Sequence, residues 1–168
     1  KADGNRTSRW TLHNRISLSS SSPGLRSDGS PFSASNSETE IPISLIINEV
    51  FPNPVGSDVG NEFVEIINVG HLPADLVGWK LGDLANPARH TFGVTTLEPG
   101  KAIVVFNSGD HSSIPNAVNA SSGSLSLNNH ADTISIYDPS GKLHDQVSYG
   151  SSTEGISLNR ASDGVAGV

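Results

Sequence analysis

The stretch Leu45-Ile46-Ile47-Asn48-Glu49-Val50, with Phe51-Pro52-Asn53-Pro54 after it and Glu62-Phe63-Val64-Glu65-Ile66-Ile67 eight residues later, decides the fold. Both short runs are rich in Ile, Val and Phe, which favour strands. The two prolines remove backbone donors, and Asn before Pro favours a turn. The sequence therefore predicts two strands, at residues 45–50 and 62–67, with a polar loop between them.

Similar short runs recur on the C-terminal side of this stretch, and no segment shows sustained helical periodicity. Asp138-Pro139-Ser140-Gly141 predicts a hairpin turn, since Pro presets the second position and Gly accepts a positive φ. Many short strands at this spacing indicate an all-β sandwich or barrel. The further predicted strands are residues 78–81, 90–92, 102–106, 124–127, 133–137, 143–149 and 156–158.

The same pattern predicts which side chains form the core. We expect a core that contains Phe63, Trp79, Ile103, Val105, Ile134 and Ile136. Because side chains alternate along a strand, the last hairpin strand should present a single face made of Leu143, Asp145, Val147 and Tyr149.

The N-terminal quarter differs in composition from the rest. Residues 17–40 are rich in Ser, Gly and Pro and predict a linker. Residues 1–35 carry five basic and two acidic side chains, a net charge of +3, whereas the remainder carries five and fifteen, −10. Trp10, Leu12 and Ile16 alternate between arginines, so we expect residues 6–18 to dock on an acidic sandwich, their own or a neighbour's. The alternative is a disordered tail.

Composition excludes several classes of site. The chain has no Cys, so it holds no disulfide, thiolate metal site or Cys nucleophile. It starts at Lys1 without any Met, which is expected of a fragment or processed product. No apolar run is long enough for a membrane helix, and a net charge of −7 disfavours binding to nucleic-acid phosphates.

Ordered motifs along residues 44–160 resemble the lamin tail domain family as found in bacterial exported proteins. They include the opening stretch, then Asp75-Leu76-Val77-Gly78-Trp79-Lys80-Leu81, Leu97-Glu98-Pro99-Gly100 and finally Gly155-Ile156-Ser157-Leu158-Asn159-Arg160. The resemblance implies an immunoglobulin-like β-sandwich over residues 44–160, preceded by an extended segment. Residues 1–40 would then be the tail of a preceding copy plus a linker, and 161–168 the start of the next linker. Ala2-Asp3-Gly4 resembles Ser162-Asp163-Gly164, which is consistent with tandem copies.

A calcium site is the main candidate for bound chemistry. Asp58, Asn61 and Glu62 lie in one Gly-containing loop with Asn53, and Glu49 and Glu65 stand on the adjoining strands. Hard cations take such oxygen ligands, although the spacing is not that of an EF-hand. The alternative is a solvated acidic loop in which Asn and Asp serve the turns.

No catalytic motif is visible. The chain lacks a nucleophile elbow, a zinc-protease motif and a phosphate loop, and its histidines stand singly. The resembled family supplies no catalytic residues, so we expect a non-enzymatic module without a required cofactor.

The sequence favours a binding or spacer module of a larger bacterial exported protein, outside the cell or at its surface. Expected partners are other domains of the same parent protein, another protein or a surface polymer, without nucleic acid or membrane insertion. Tail exchange between molecules is a further expectation. The rival hypothesis is an accessory domain of a secreted hydrolase or nuclease whose catalytic part lies elsewhere.

Overall fold

A computed structural model describes residues 10–12, 24–25, 30, 43–162 and 164 of the chain. These residues form strands and loops without any helix, so the all-β prediction is confirmed. No helix long and apolar enough to cross a membrane occurs in this described part. In chain order the strands are β1 (Trp10–Leu12), β2 (Leu45–Phe51), β3 (Phe63–Asn68), β4 (Ala74–Asp75), β5 (Lys80–Gly82), β6 (His90–Thr91), β7 (Thr96–Leu97), β8 (Ala102–Phe106), β9 (Ala117–Asn119), β10 (Asp132–Tyr137), β11 (Leu143–Tyr149) and β12 (Leu158–Arg160).

Two sheets enclose the core of the sandwich. The larger has the strand order β1-β12-β2-β3-β8-β9, and the smaller has the order β11-β10-β5-β6. A separate two-stranded sheet pairs β4 with β7. Neighbouring strands are antiparallel except β8 and β9, which run parallel. The strand spacing indicated a sandwich or barrel, and this arrangement is a sandwich, with the immunoglobulin-like architecture that the family resemblance implied.

The core between the sheets contains five of the six side chains predicted for it. Trp79, Ile103, Val105, Ile134 and Ile136 all belong to this cluster. Phe63 is also buried, but on the opposite face of the large sheet, where it packs against Phe51 and Phe106. Because Val64 faces the core, alternation turns its neighbour Phe63 outward.

The predicted strand at residues 124–127 is wrong. Leu125 and Leu127 are buried, but Ser126 between them has a φ of 53°, which breaks the extended alternation. The amide of Leu125 donates to Oδ1 of Asn107 at 2.7 Å, so a side chain replaces a strand partner. Strands β4, β7 and β9, in contrast, were not predicted, because two- or three-residue strands leave too short a pattern.

The expected single face of β11 is also wrong at one residue. Ile136 pairs with Asp145, but Tyr137 pairs with Leu143, so His144 is an extra residue in a β-bulge. The bulge leaves Leu143 exposed while Val147 and Tyr149 stay buried. His144 instead accepts a hydrogen bond from the Leu45 amide at 3.1 Å and meets the Trp79 ring edge-on.

Side chains also complete the edge of β2 where β12 does not cover it. Oδ2 of Asp145 accepts the Ile47 amide at 2.8 Å and an Arg160 guanidinium nitrogen at 2.6 Å. Nε of Arg160 donates to the Ile47 carbonyl at 2.5 Å. The buried Arg160 therefore joins β12, β2 and β11 in one network.

Part of the N-terminal segment lies on the sandwich. β1 pairs antiparallel with β12, with Trp10 opposite Arg160 and Leu12 opposite Leu158. Further along, within the predicted linker, the Gly24 amide donates to the Glu65 carboxylate. Residues 6–9 and 13–18, including Ile16, lie outside the described residues.

Candidate functional site

Four loops gather at one end of the sandwich, and we call this surface the Asp58 end. They are residues 52–62, 107–116, 120–131 and 150–157. Antiparallel pairing brings the ends of β2, β3, β8, β10, β11 and β12 together there, while the loop 107–116 leaves β8 at this end and runs back to enter the parallel strand β9 opposite Val104. The pairs that set this end are Phe51 with Phe63, Phe63 with Phe106, Val50 with Leu158, and Asp132 with Tyr149.

Asp58 joins three of these loops. Its backbone carbonyl accepts the amides of Asn61 and Glu62 at 3.3 and 3.4 Å, which closes a turn within its own loop. The same carbonyl accepts the side-chain amide of Asn107 at 3.4 Å. Its carboxylate accepts the side-chain amide of Asn129 at 3.3 Å. The loop that carries Asp58 is thereby tied to its two neighbours.

The fourth loop is attached on the other side. The Gly155 amide donates to the Asn53 carbonyl at 2.7 Å, and the Gly56 amide donates to the Glu154 carboxylate at 3.3 Å. A side chain at Gly155 would also meet Val55, since a Cβ built there lies 2.7 Å from a Val55 methyl group. The 52–62 loop thus stands at the centre of the surface.

His111 adds a further clamp. Its ring stacks on Phe106 with centroids 3.6 Å apart. Nε2 lies 2.8 Å from the Gly60 carbonyl and 2.9 Å from the Ser108 carbonyl. Both partners are acceptors, so this nitrogen carries the proton and donates. Sequence reasoning missed His111, Asn107 and Asn129, because each has a partner on another loop that no local motif reveals.

Glu62 is the electrostatically unusual residue of the Asp58 end. Its side chain is 3% exposed, and burial raises its pKa from 4.5 to about 7. The negative charges of Asp58 and Asp132 add to this rise, whereas the Leu127 amide, which donates to the carboxylate, and Arg89 oppose it. A carboxyl that holds its proton near neutral pH is poorly suited to be a permanent anionic ligand.

The structure does not assemble the proposed calcium ligands into a cluster. The side-chain amide of Asn61 is exposed and donates to the Ser57 carbonyl at 3.1 Å. Glu49 and Glu65 face each other across β2 and β3, where the Glu65 carboxylate accepts the side-chain amide of Asn48 at 2.9 Å. Within the described ranges, no three His, Asp or Glu side chains come together as a possible metal set. A calcium site in this loop stays a prediction.

Three histidines use a ring nitrogen to hydrogen-bond a backbone group, so that nitrogen is not available for acid–base chemistry. His90 Nδ1 accepts the Ser121 amide at 3.1 Å, and burial lowers the pKa of this ring. His144 accepts the Leu45 amide, and burial lowers its pKa as well. Together with His111, these rings hold backbone groups in place and do not approach one another as a catalytic set.

The outward side of the Asp58 end combines apolar tips with acidic groups. Val55 and Val59 are 74% and 72% exposed on the 52–62 loop. Exposed Asp110 and Glu154 stand on the neighbouring loops. The result is an acidic surface with two projecting valines on loops fixed by hydrogen bonds.

Comparison with known proteins agrees with the architecture. No curated protein matches the chain at a significant level. The family model of the Lamin Tail Domain, however, matches residues 40–151, about two thirds of the chain. That range contains strands β2 and β3, the motif of residues 75–81 that includes Trp79, and the β10–β11 hairpin. The chain therefore belongs to the lamin tail domain family of immunoglobulin-like sandwiches.

Proposed function

We propose that this lamin tail domain is a non-catalytic recognition or spacer module of a larger bacterial exported protein, and that it binds its partner through the Asp58 end. The observation that carries the proposal is the set of hydrogen bonds through which four loops are joined around residues 52–62. Binding loops on a rigid sandwich are a common use of this architecture.

The fixed loops favour binding in energetic terms. Each side chain or loop that becomes ordered on association lowers affinity, so a surface that is already ordered binds at a smaller entropic cost. Asp58, Asn107 and Asn129 use their side-chain polar groups to hold the loops, which leaves Val55 and Val59 free to contact a partner.

The charge of the surface indicates the chemistry of the partner. Asp58, Asp110 and Glu154 make this end acidic, and residues 36–168 together have a net charge of −10. Complementarity favours a partner with basic groups around an apolar patch, either another domain of the parent protein or a surface polymer that carries amines. Phosphate-rich nucleic acid is disfavoured on the same ground. We place the module outside the cell or at its surface.

A binding assay with loop variants tests the proposal. The chain is sedimented with insoluble surface polymers that carry amines, such as peptidoglycan and chitosan. It is titrated separately with the purified neighbouring domains of the parent protein. We expect binding to be lost when Val55 and Val59 are both changed to Ser. Val94→Ser is the matched control, because Val94 is 97% exposed in a loop at the opposite end of the sandwich. Equal loss in both variants, or none in either, would overturn the assignment of the Asp58 end.

Activity measurements address the non-catalytic part of the proposal. The chain should release no product from DNA, RNA, ester or glycoside substrates. It should also not bind duplex DNA at physiological salt. Turnover that survives repurification, or tight DNA binding that weakens steeply with salt, would contradict it.

A further inference from the structure

We propose that the outer edge of β12 is an acceptor for strand β1 of a second copy of this chain, so that β1 is exchanged between copies. The inference does not depend on what the Asp58 end binds. It assigns an interaction surface, the edge residues Leu158–Arg160, and a partner strand, Trp10–Leu12.

The first observation is the position of β1 in the sheet. β1 is the edge strand and has β12 as its neighbour, in an antiparallel register that places Thr11 opposite Asn159. The described residues that follow β12, residues 161–162 and 164, do not use this edge, as the path of the chain shows. The chain turns toward the other neighbour of β12, because the Gly164 amide donates to the side-chain oxygen of Asn48 on β2 at 3.0 Å.

The second observation is the length of chain between β1 and the sandwich. Residues 13–44 separate β1 from β2, and the Gly24 amide within them is bound to Glu65 of the sandwich, so the length of chain between β1 and that contact reaches about 40 Å when fully extended. β1 could therefore reach β12 of its own sandwich or of a neighbour. β1 is a three-residue strand and makes the same few hydrogen bonds whether β12 belongs to its own chain or to a neighbour. These contacts therefore do not strongly favour either arrangement.

The third observation connects this register with the internal repeat. Ala2-Asp3-Gly4 resembles Ser162-Asp163-Gly164, and Trp10 follows Gly4 by six residues. In successive copies, the counterpart of Trp10 would then follow Arg160 by ten residues. That interval allows the chain to turn back as an antiparallel strand on β12, which is the direction in which β1 pairs. β1 thus has the sequence context and the orientation of a strand that completes the preceding copy.

Mass action sets the conditions under which exchange becomes visible. Because β1 is joined to its own sandwich through the chain, its effective concentration at its own β12 is about 1 mM. Pairing between chains becomes comparable only when the protein concentration approaches that value. Exchange is therefore best allowed by refolding concentrated protein from denaturant.

Cysteine cross-linking gives a direct test, because the chain has no natural Cys. One chain carries Thr11→Cys and another carries Asn159→Cys, and the two are mixed in urea, refolded together at high concentration and oxidised. Cross-strand neighbours lie within reach of a disulfide. We expect a mixed disulfide dimer, identified by mass, in several-fold excess over the product from Thr11→Cys mixed with Val94→Cys.

The outcomes separate the alternatives. A mixed dimer no more abundant than the Val94 control overturns the exchange. A chain that carries both Thr11→Cys and Asn159→Cys and forms only an intramolecular disulfide would show that β1 pairs only with β12 of its own chain. Because Asn159 is buried, its replacement could impair folding, so unmodified protein gives a second measurement. Light scattering should show dimers that increase with protein concentration and disappear in Thr11→Pro. A monomer at every concentration would refute the proposal.

Discussion

Replacing Glu62 by Gln should stabilise the protein, and more strongly as the pH rises. The Glu62 carboxyl is buried at the Asp58 end, and its pKa is raised from 4.5 to about 7. Below pH 4.5 the Glu62 carboxyl keeps its proton in both the folded and the unfolded protein, so it makes no pH-dependent contribution to the free energy of unfolding. Between the two values only the unfolded chain ionises, and stability falls as the pH increases.

The magnitude follows from the two pKa values. Each tenfold change in acid dissociation corresponds to about 1.4 kcal/mol, so moving the pKa from 4.5 to about 7 gives a full penalty of about 3 kcal/mol above neutral pH. Gln imitates the protonated carboxyl and keeps an oxygen that can accept the Leu127 amide. The variant should therefore gain about 3 kcal/mol over the natural protein between about pH 4.5 and pH 8.

Urea unfolding at a series of pH values measures this difference. Burial lowers the pKa of His90 and of His144, but both residues are present in both proteins, so their effects cancel in the comparison. Glu98→Gln is the matched control, because Glu98 is exposed and the same substitution there removes no buried carboxyl. If the difference between natural protein and Glu62→Gln stays constant across this range, the carboxyl is not protonated by its burial and the reasoning is refuted.

Three further changes test the core, the β2 edge and the metal prediction. Trp79→Ala should lower the free energy of unfolding by about 3–5 kcal/mol, since the ring is 8% exposed in the core; a loss below about 1 kcal/mol in urea unfolding would place the ring at the surface. Asp145→Ala should cost about 3 kcal/mol in the same assay, because it removes the acceptor shared by Arg160 and the β2 backbone; an effect as small as that of a surface substitution would disprove the network. Calorimetry with calcium should detect any binding at the 52–62 loop, and Asp58→Asn combined with Glu62→Gln should abolish it; unchanged binding in the double variant would exclude the loop.

The strands with strong apolar patterns could be predicted from the sequence with small errors at their ends. β2, β3, β8 and β10 each carry several Ile, Val or Phe residues, whose preference for extended, half-buried backbone acts locally. The β10–β11 hairpin was predictable for the same reason, since Asp138 to Gly141 specify their own turn. Gly141 has a φ of 85° there, as the turn requires.

The errors occur where a distant side chain replaces a strand neighbour. Residues 124–127 are apolar at alternate positions, yet Asn107 supplies the partner for Leu125, so no strand forms. The bulge at His144 depends on the amide of Leu45, which is 99 residues away in the chain. No pattern within a short window contains either partner.

For the candidate site, the sequence by itself determined the location and the acidic character of the 52–62 loop. Prolines, glycines and carboxylates adjacent in the chain are sufficient to end a strand and to make a polar loop. Only the tertiary structure decided what those residues do. Asp58 joins neighbouring loops, the Asn61 side chain donates a hydrogen bond within its own loop, and burial raises the pKa of Glu62 to about 7. Local conformational preference is a property of neighbouring residues, whereas burial and hydrogen-bond partners depend on strands that meet only when the two sheets close on each other.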